Sequence, residues 1–412
     1  MQTRLTLKFY ILFISLFWGA GAIAQNRPFL KEGFWRGVFH LQENEVPFVF
    51  EVKGTNASNA TVFLINGKER AALNHIVQKN DSVFIPVELY DAVIIGKVEG
   101  NKFNGVFRKL SLSKSNGGLA FTADYGRKAR FENKNIAPKA SLSGTWDLKM
   151  IYPDNTEEVV GLFDQKTNNL TGTILTTTGD YRYFEGTVQG ADFYLSAFSG
   201  SNPYLIKGKF VNQNEIEAEF ITSRGKISIK GVRNAKAALP DPYSLTKLKD
   251  GVSSIDFTFP DLNGNPVSLK DPKYKDKVVV ISIMGSWCPN CNDEISFLAP
   301  WYKKNKERGV EIIGLAFERK KDLASAKATL SLLKKKYGVD YDILFAGQAG
   351  TDAASKALPA LKAVFSFPTT IFIDKKGNVS RIHTGYNGPA TGKFYDEFLE
   401  EFNQEIDNLL KQ

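Results

Sequence analysis

Between about Asn26 and Asn234 apolar and polar positions alternate in short runs, among them "VPFVFEV" (46–52), "ATVFLING" (60–67), "DSVFIPV" (81–87) and "DFYLSAF" (192–198). Turn residues such as "NGKE", "EGNK" and "TNNL" break these runs at intervals of about ten, and helical spacing is almost absent. A period of two with this punctuation predicts antiparallel strands. The pattern also repeats. Gly33–Trp35 is answered by Gly144–Trp146 and Asp81 by Asp192, while Gly96–Val98 is answered by Gly208–Phe210. Correspondences in one order predict a duplicated β-meander, barrel- or sandwich-like, with units over residues 25–135 and 136–234. Each unit must close on itself or pack on its twin to hide its sheet edges.

The texture then changes. A linker over 235–250 is kept extended by Pro240 and Pro242. Beyond it, residues 251–412 predict an α/β domain. Two short strands flank an Asn-Gly turn within 252–271, and "KVVVISIM" (277–284) and "VEIIGLAF" (310–317) read as strands buried on both faces. Helical spacing follows at 294–308 and 322–337, then a hairpin at 369–385 and a C-terminal amphipathic helix. The expected fold is multidomain, an all-β region followed by β-α-β-α-β-β-α.

At the N-terminus Arg4 and Lys8 precede the apolar run "FYILFISLFWGAGA", which ends at Ala22-Ile23-Ala24. This predicts a signal peptide over residues 1–24, cleaved before Gln25, and a mature chain that is exported and does not span a membrane. Removing it leaves 51 basic against 44 acidic residues, with the signs interspersed as in "KDPKYKDK". Without a basic stripe interleaved with aromatics, nucleic acid is not an expected partner.

The chain has two cysteines, both in "GSWCPNCNDE" (285–294), where a buried strand hands over to a helix. A cysteine at a helix N-terminus meets unpaired N–H groups and the positive end of the dipole, which lower its pKa. Cys288 is therefore expected to be the exposed nucleophile and Cys291, one turn on, the buried resolving thiol. Pro289 suits the first turn because it needs no N–H. A zinc site would need two more ligands, and His40, His75 and His383 are far apart, so no metal is expected. A structural disulfide closing so small a loop would stabilise little. A dead remnant is the other bland alternative. No cofactor is called for beyond the Cys288–Cys291 disulfide itself.

"W-C-P-N-C" after an apolar strand, "FPTTIFID" and "DKKGNV" together resemble, over residues 256–410, the thioredoxin-fold domain of TlpA/ResA-type thiol–disulfide oxidoreductases. The resemblance implies attack by Cys288, resolution by Cys291, and a cis-proline at Pro368 offering backbone to an extended substrate. Trp287, Pro289, Phe367, Pro368 and Thr369 would form the substrate-docking surface. Glu294 would serve the proton of the resolving thiol. Three positions depart from the family. Ser282 stands where thioredoxin has a buried aspartate, Ser296 replaces a usual proline, and Phe367 precedes Pro368 where Thr or Val is common. His383 is expected to pack rather than catalyse. The resemblance also implies a periplasmic or cell-envelope location, disulfide-containing envelope proteins as substrates, apocytochromes awaiting haem among them, and a membrane thiol donor as reductant.

Two other functions compete. Peroxiredoxins share the opening "DFTFPDLNG", but their Pro-x-x-x-Thr/Ser-x-x-Cys frame would need proline and threonine or serine where Ile281 and Gly285 stand. Alternatively the β-region binds a lipid, glycan or partner in a lipocalin-like cup and the dithiol is accessory, or the β-region is a spacer or dimerisation module.

Overall fold

The computed structural model describes residues 28–110, 117–132 and 134–412; the expected signal peptide lies outside the described residues. The first β-unit is a nine-stranded antiparallel sheet running from Glu69–Leu73 at one edge to Val77–Lys79 at the other, with no ladder joining its edges among the described residues. The second closes. Thr156–Lys166 pairs with Gly144–Ile151 on one side and Asn169–Thr176 on the other, so the sheet becomes a barrel without a free edge there.

The two units share a device at equivalent places. Trp35 is fully buried and its Nε1 donates to the Lys31 carbonyl (2.9 Å). Trp146, likewise fully buried, donates to the Leu142 carbonyl (2.8 Å). Each indole is thus an apolar plug with its one polar atom satisfied. The units also pack on each other. Phe198 of the second sits edge-on to Phe39 of the first, ring centres 4.7 Å apart, inside the first unit's core. Nearby, buried Arg130 of the first unit donates to Ser196 Oγ of the second (3.2 Å).

The C-terminal domain holds a five-stranded sheet in the spatial order 342–348, 310–318, 278–284, 369–373, 379–384. The first three strands are parallel, 369–373 runs antiparallel to the centre, and 379–384 pairs antiparallel with 369–373. Helices α1 (Pro289–Asn305), α2 (Leu323–Tyr337), α3 (Thr351–Ala357) and α4 (Lys393–Lys411) complete it. The expected element order omitted the strand Asp342–Gln348 and the short α3. That strand lies at the sheet edge and its apolar run is only Ile343–Ala346, too short to stand out in sequence.

The linker is not free. Ala237 and Leu239 pack with Val160 and Leu175 of the barrel and Phe394 of α4. Tyr243 lies between the Arg381 guanidinium (3.6 Å from its ring centre) and His383. Apolar side chains at alternate linker positions hold it against both domains.

Candidate active site

The central strand Val278–Met284 is buried at every position and delivers the chain to the tip of α1. Cys288 is the N-cap of α1, Pro289 opens the helix, and the Cys291 N–H donates to Cys288 Sγ (3.2 Å). Helix dipole and N–H together favour negative charge on that sulfur. The two cysteines are disulfide-bonded, with Cα atoms 5.2 Å apart. The Asn292 amide ties the loop by donating to the Ser286 and Cys288 carbonyls (2.9 Å each).

The loop carrying Pro368 lies beside the sulfurs. The Phe367–Pro368 bond is cis, and Cys288 Sγ is 3.6 Å from the Phe367 carbonyl oxygen. The Phe367 ring packs near Trp287, whose Nε1 donates to the Phe317 carbonyl (2.9 Å) and whose face meets the Arg319 guanidinium. Pro368 is buried and its carbonyl accepts from the Gly385 N–H. Thr369 is also buried, its hydroxyl donating to the Ser366 carbonyl (2.9 Å). Of these three residues, Phe367 alone is half-buried rather than buried.

Glu294 is buried one turn beyond Cys291. It accepts from Ser282 Oγ and Thr370 Oγ1, both at 2.5 Å, and burial pushes its carboxyl up to about 7 against those two bonds. Ser282, the departure from thioredoxin's aspartate, is thus a hydrogen-bond donor to the acid on the helix. Ser296 is exposed and caps its own turn through the Asp293 carbonyl (2.7 Å). His383 is buried against Tyr243 and Phe398, with Nδ1 3.1 Å from the Gly385 carbonyl oxygen, and burial lowers its pKa to about 4. It packs.

One expectation is corrected. Cys288 is only 5% exposed, not an open nucleophile: it packs in the domain's own core beside the Phe367 carbonyl, and its remaining face looks into a space walled by the second β-unit. The barrel segment Thr176–Arg182 lies on the Cys-Pro-Asn-Cys loop. The Asn290 amide, oriented so that both its groups are satisfied, donates to the Asp180 carbonyl (2.9 Å) and accepts from the Asp180 N–H (3.3 Å). Gly179, at φ +135°, allows this approach, since a Cβ there would overlap the Asn290 side chain. Beside it Arg182 bridges Glu69 of the first unit and Asp293 of α1 (3.1 Å to the latter). Burial raises Asp293 to about 6 despite Arg182, and raises Asp180 to about 7, helped by the charge of Asp293.

Sequence reasoning noticed Asp293 only as part of an acidic pair and did not single out Asp180, Arg182 or Asn290 for a role. A second buried carboxylate, Glu318, also escaped notice. It accepts from the Ser286 N–H (2.7 Å) and Oγ (2.6 Å), bracing the loop one residue before Trp287.

A thioredoxin-like sheet, a dithiol capping a helix and a cis-proline beside it define a thiol–disulfide oxidoreductase. Residues 251–382 match the AhpC/TSA family. "Thiol-disulfide oxidoreductase ResA" of Bacillus thuringiensis subsp. konkukian (strain 97-27) is 30% identical over 155 residues, 38% of this chain and 79% of that protein. The Bacillus subtilis (strain 168) protein of the same name is 29% identical over 138 residues, 34% of this chain and 69% of its own length. The crystal structure of a thiol:disulfide interchange protein, a thioredoxin family protein from Chlorobium tepidum TLS, matches with 22% identity and a TM-score of 0.29, covering 39% of this chain and 96% of that one. Through its C-terminal part the chain belongs to the ResA family of thiol–disulfide oxidoreductases. Among the described residues, no helix is long and apolar enough to cross a membrane.

Proposed function

We propose that the chain is exported to the cell envelope and there reduces or exchanges disulfides of envelope proteins. The observation that carries this is Cys288 at the N-cap of α1, with the Cys291 N–H on its sulfur and the Phe367 carbonyl beside it. Export is supported by the basic-then-apolar sequence before Gln25.

In the reducing direction the Cys288 thiolate attacks one sulfur of a substrate disulfide. The other substrate sulfur leaves as a thiolate and takes up a proton. The Cys291 thiol, its proton passing toward Glu294, then attacks Cys288 Sγ and expels the second substrate thiolate. The substrate gains two electrons from the Cys288–Cys291 pair and two protons, one from the Cys291 thiol and one from water, which took up the Cys288 proton when the thiolate formed; the pair is restored by a membrane thiol donor. Glu294, titrating near 7, suits a proton that must be both taken and returned.

The test is the reduction potential of the Cys288–Cys291 pair, by thiol trapping in graded dithiol buffers. A value near or below about −230 mV is expected for a reductant, whereas one near about −120 mV would make the protein an oxidant instead. Failure to form the disulfide at any poise, or rapid peroxide turnover needing Cys288 alone, would overturn the reading.

A further inference from the structure

Cys288 and Pro289 form one wall of a cavity of about 380 Å³ whose other walls belong to the closed barrel, Thr176, Tyr181, Ser201, Asn202 and Tyr204 among them. The barrel therefore shapes whatever approaches the sulfur. A second trough of about 620 Å³ adjoins the first, and the two share Tyr181, Asn202 and Tyr204. Its floor is a rigid aromatic cluster: Tyr204 stacks on Phe220 (5.4 Å), and Tyr181 stands edge-on to both.

We infer that the second β-unit is the substrate-recognition element of this oxidoreductase, and that its occupant is an extended, cysteine-bearing polypeptide segment laid along the Tyr181–Tyr204 trough. The inference rests on the proposed attack by Cys288. Three observations choose a polypeptide. Either cavity alone has the size that takes a small molecule, and the two adjoin through shared residues with Cys288 lining only the first, which suits a chain. The lining combines rigid tyrosines with Ser and Asn, side chains that bind peptide with little ordering cost and adaptable hydrogen bonds. The Asn202 amide makes only long contacts, 3.4 Å to Ser201 Oγ and 3.5 Å to the Tyr204 hydroxyl, and remains able to pair with a backbone. Asn290 already pairs in this manner, through its amide, with the backbone of Asp180. A disulfide inside a folded protein cannot enter; one on an extended segment can.

The chemistry is the exchange described above. The Cys288 thiolate bonds to the peptide's cysteine sulfur as the peptide's disulfide partner leaves, and Cys291 then releases the peptide as a thiol.

The experiment uses the reduced full-length protein and two probes with one leaving group, thionitrobenzoate, in mixed disulfide with either a synthetic cysteine-containing decapeptide or mercaptoethanol. Release of the coloured thiolate gives the second-order rate. The wild type is expected to prefer the peptide by about tenfold or more, equivalent to a contact of about 1.4 kcal/mol. Ser201→Trp, which fills the cavity between Cys288 and the trough, and Asn202→Ala, which removes the loosely held amide, should each erase most of that preference. Asn202→Ala adds no bulk and decides the matter should the tryptophan variant fail to fold, as its melting transition would reveal. Equal wild-type rates for the two probes would overturn the inference, and so would variants that slow both alike, which would mark the cavity as a route for small thiols. If neither probe reacts with Cys288, the proposed oxidoreductase chemistry itself falls.

Discussion

Glu294, on the helix that carries the dithiol, is held by two hydroxyls, Ser282 Oγ and Thr370 Oγ1. Its place three residues after Cys291 was visible; its partners were not. Ser282 and Thr370 come from the central strand and its antiparallel neighbour, and they convert a glutamate one turn into a helix into a buried acid near neutrality. Glu294→Gln keeps the shape and removes the titration. Reoxidation of the dithiol by a disulfide should slow by about 10²-fold and lose its inflection near pH 7, read by stopped-flow across pH. Stability follows with a definite sign. A carboxyl whose folded pKa is raised gives stability that is complete below its ordinary range, near 4.5, and lost as pH rises through about 7. The glutamine variant should therefore gain stability relative to wild type between those limits, as compared by urea midpoints at the two ends.

At the scale of elements, the alternating runs and the repeated Gly-x-Trp were enough to see two β-units. The Trp35 and Trp146 hydrogen bonds give that repeat a physical reason, since each indole N–H must find a carbonyl when the ring is buried. Trp146→Phe keeps most of the plug but strands the Leu142 carbonyl. It should cost about 1–3 kcal/mol in a denaturant titration, and Trp35→Phe a similar amount. Whether each meander closes could not be seen, because alternation is the same in a barrel and an open sheet. Closure depends on Thr156–Lys166 finding Asn169–Thr176 across the ring, a matter of twist and register. The edge strand Asp342–Gln348 was missed because its apolar run, Ile343–Ala346, is too short to stand out.

For the whole molecule the decisive contact is between the barrel and the dithiol loop. Arg182 joins three parts of the chain at once, Glu69, its own strand region and Asp293. Arg182→Ala leaves two partly buried carboxylates without their cation. It should cost about 2 kcal/mol and loosen the barrel from α1, so that alkylation of reduced Cys288 by iodoacetamide becomes several-fold faster. Unchanged alkylation would mean that the cover over Cys288 does not depend on this bridge. Lowering the pH from 7 toward 5 protonates Asp180 and Asp293, whose folded pKa values of about 7 and about 6 lie above their ordinary range near 3.8. Their contribution to stability is thus greatest in acid and declines as pH rises through those values.

The sequence by itself determined the dithiol, the order of most elements and the acid on the helix, while the proline beside the sulfurs was implied by the resemblance of its motif to the family. These are properties of short segments, where spacing alone sets which side chains share a turn or a strand face. The tertiary structure decided how accessible Cys288 is, what surrounds Glu294 and which part of the β-region faces the chemistry. Those depend on contacts between separate elements, such as Thr370 with Glu294, Asp180 with Asn290 and Arg182 with Asp293, and no local pattern carries them.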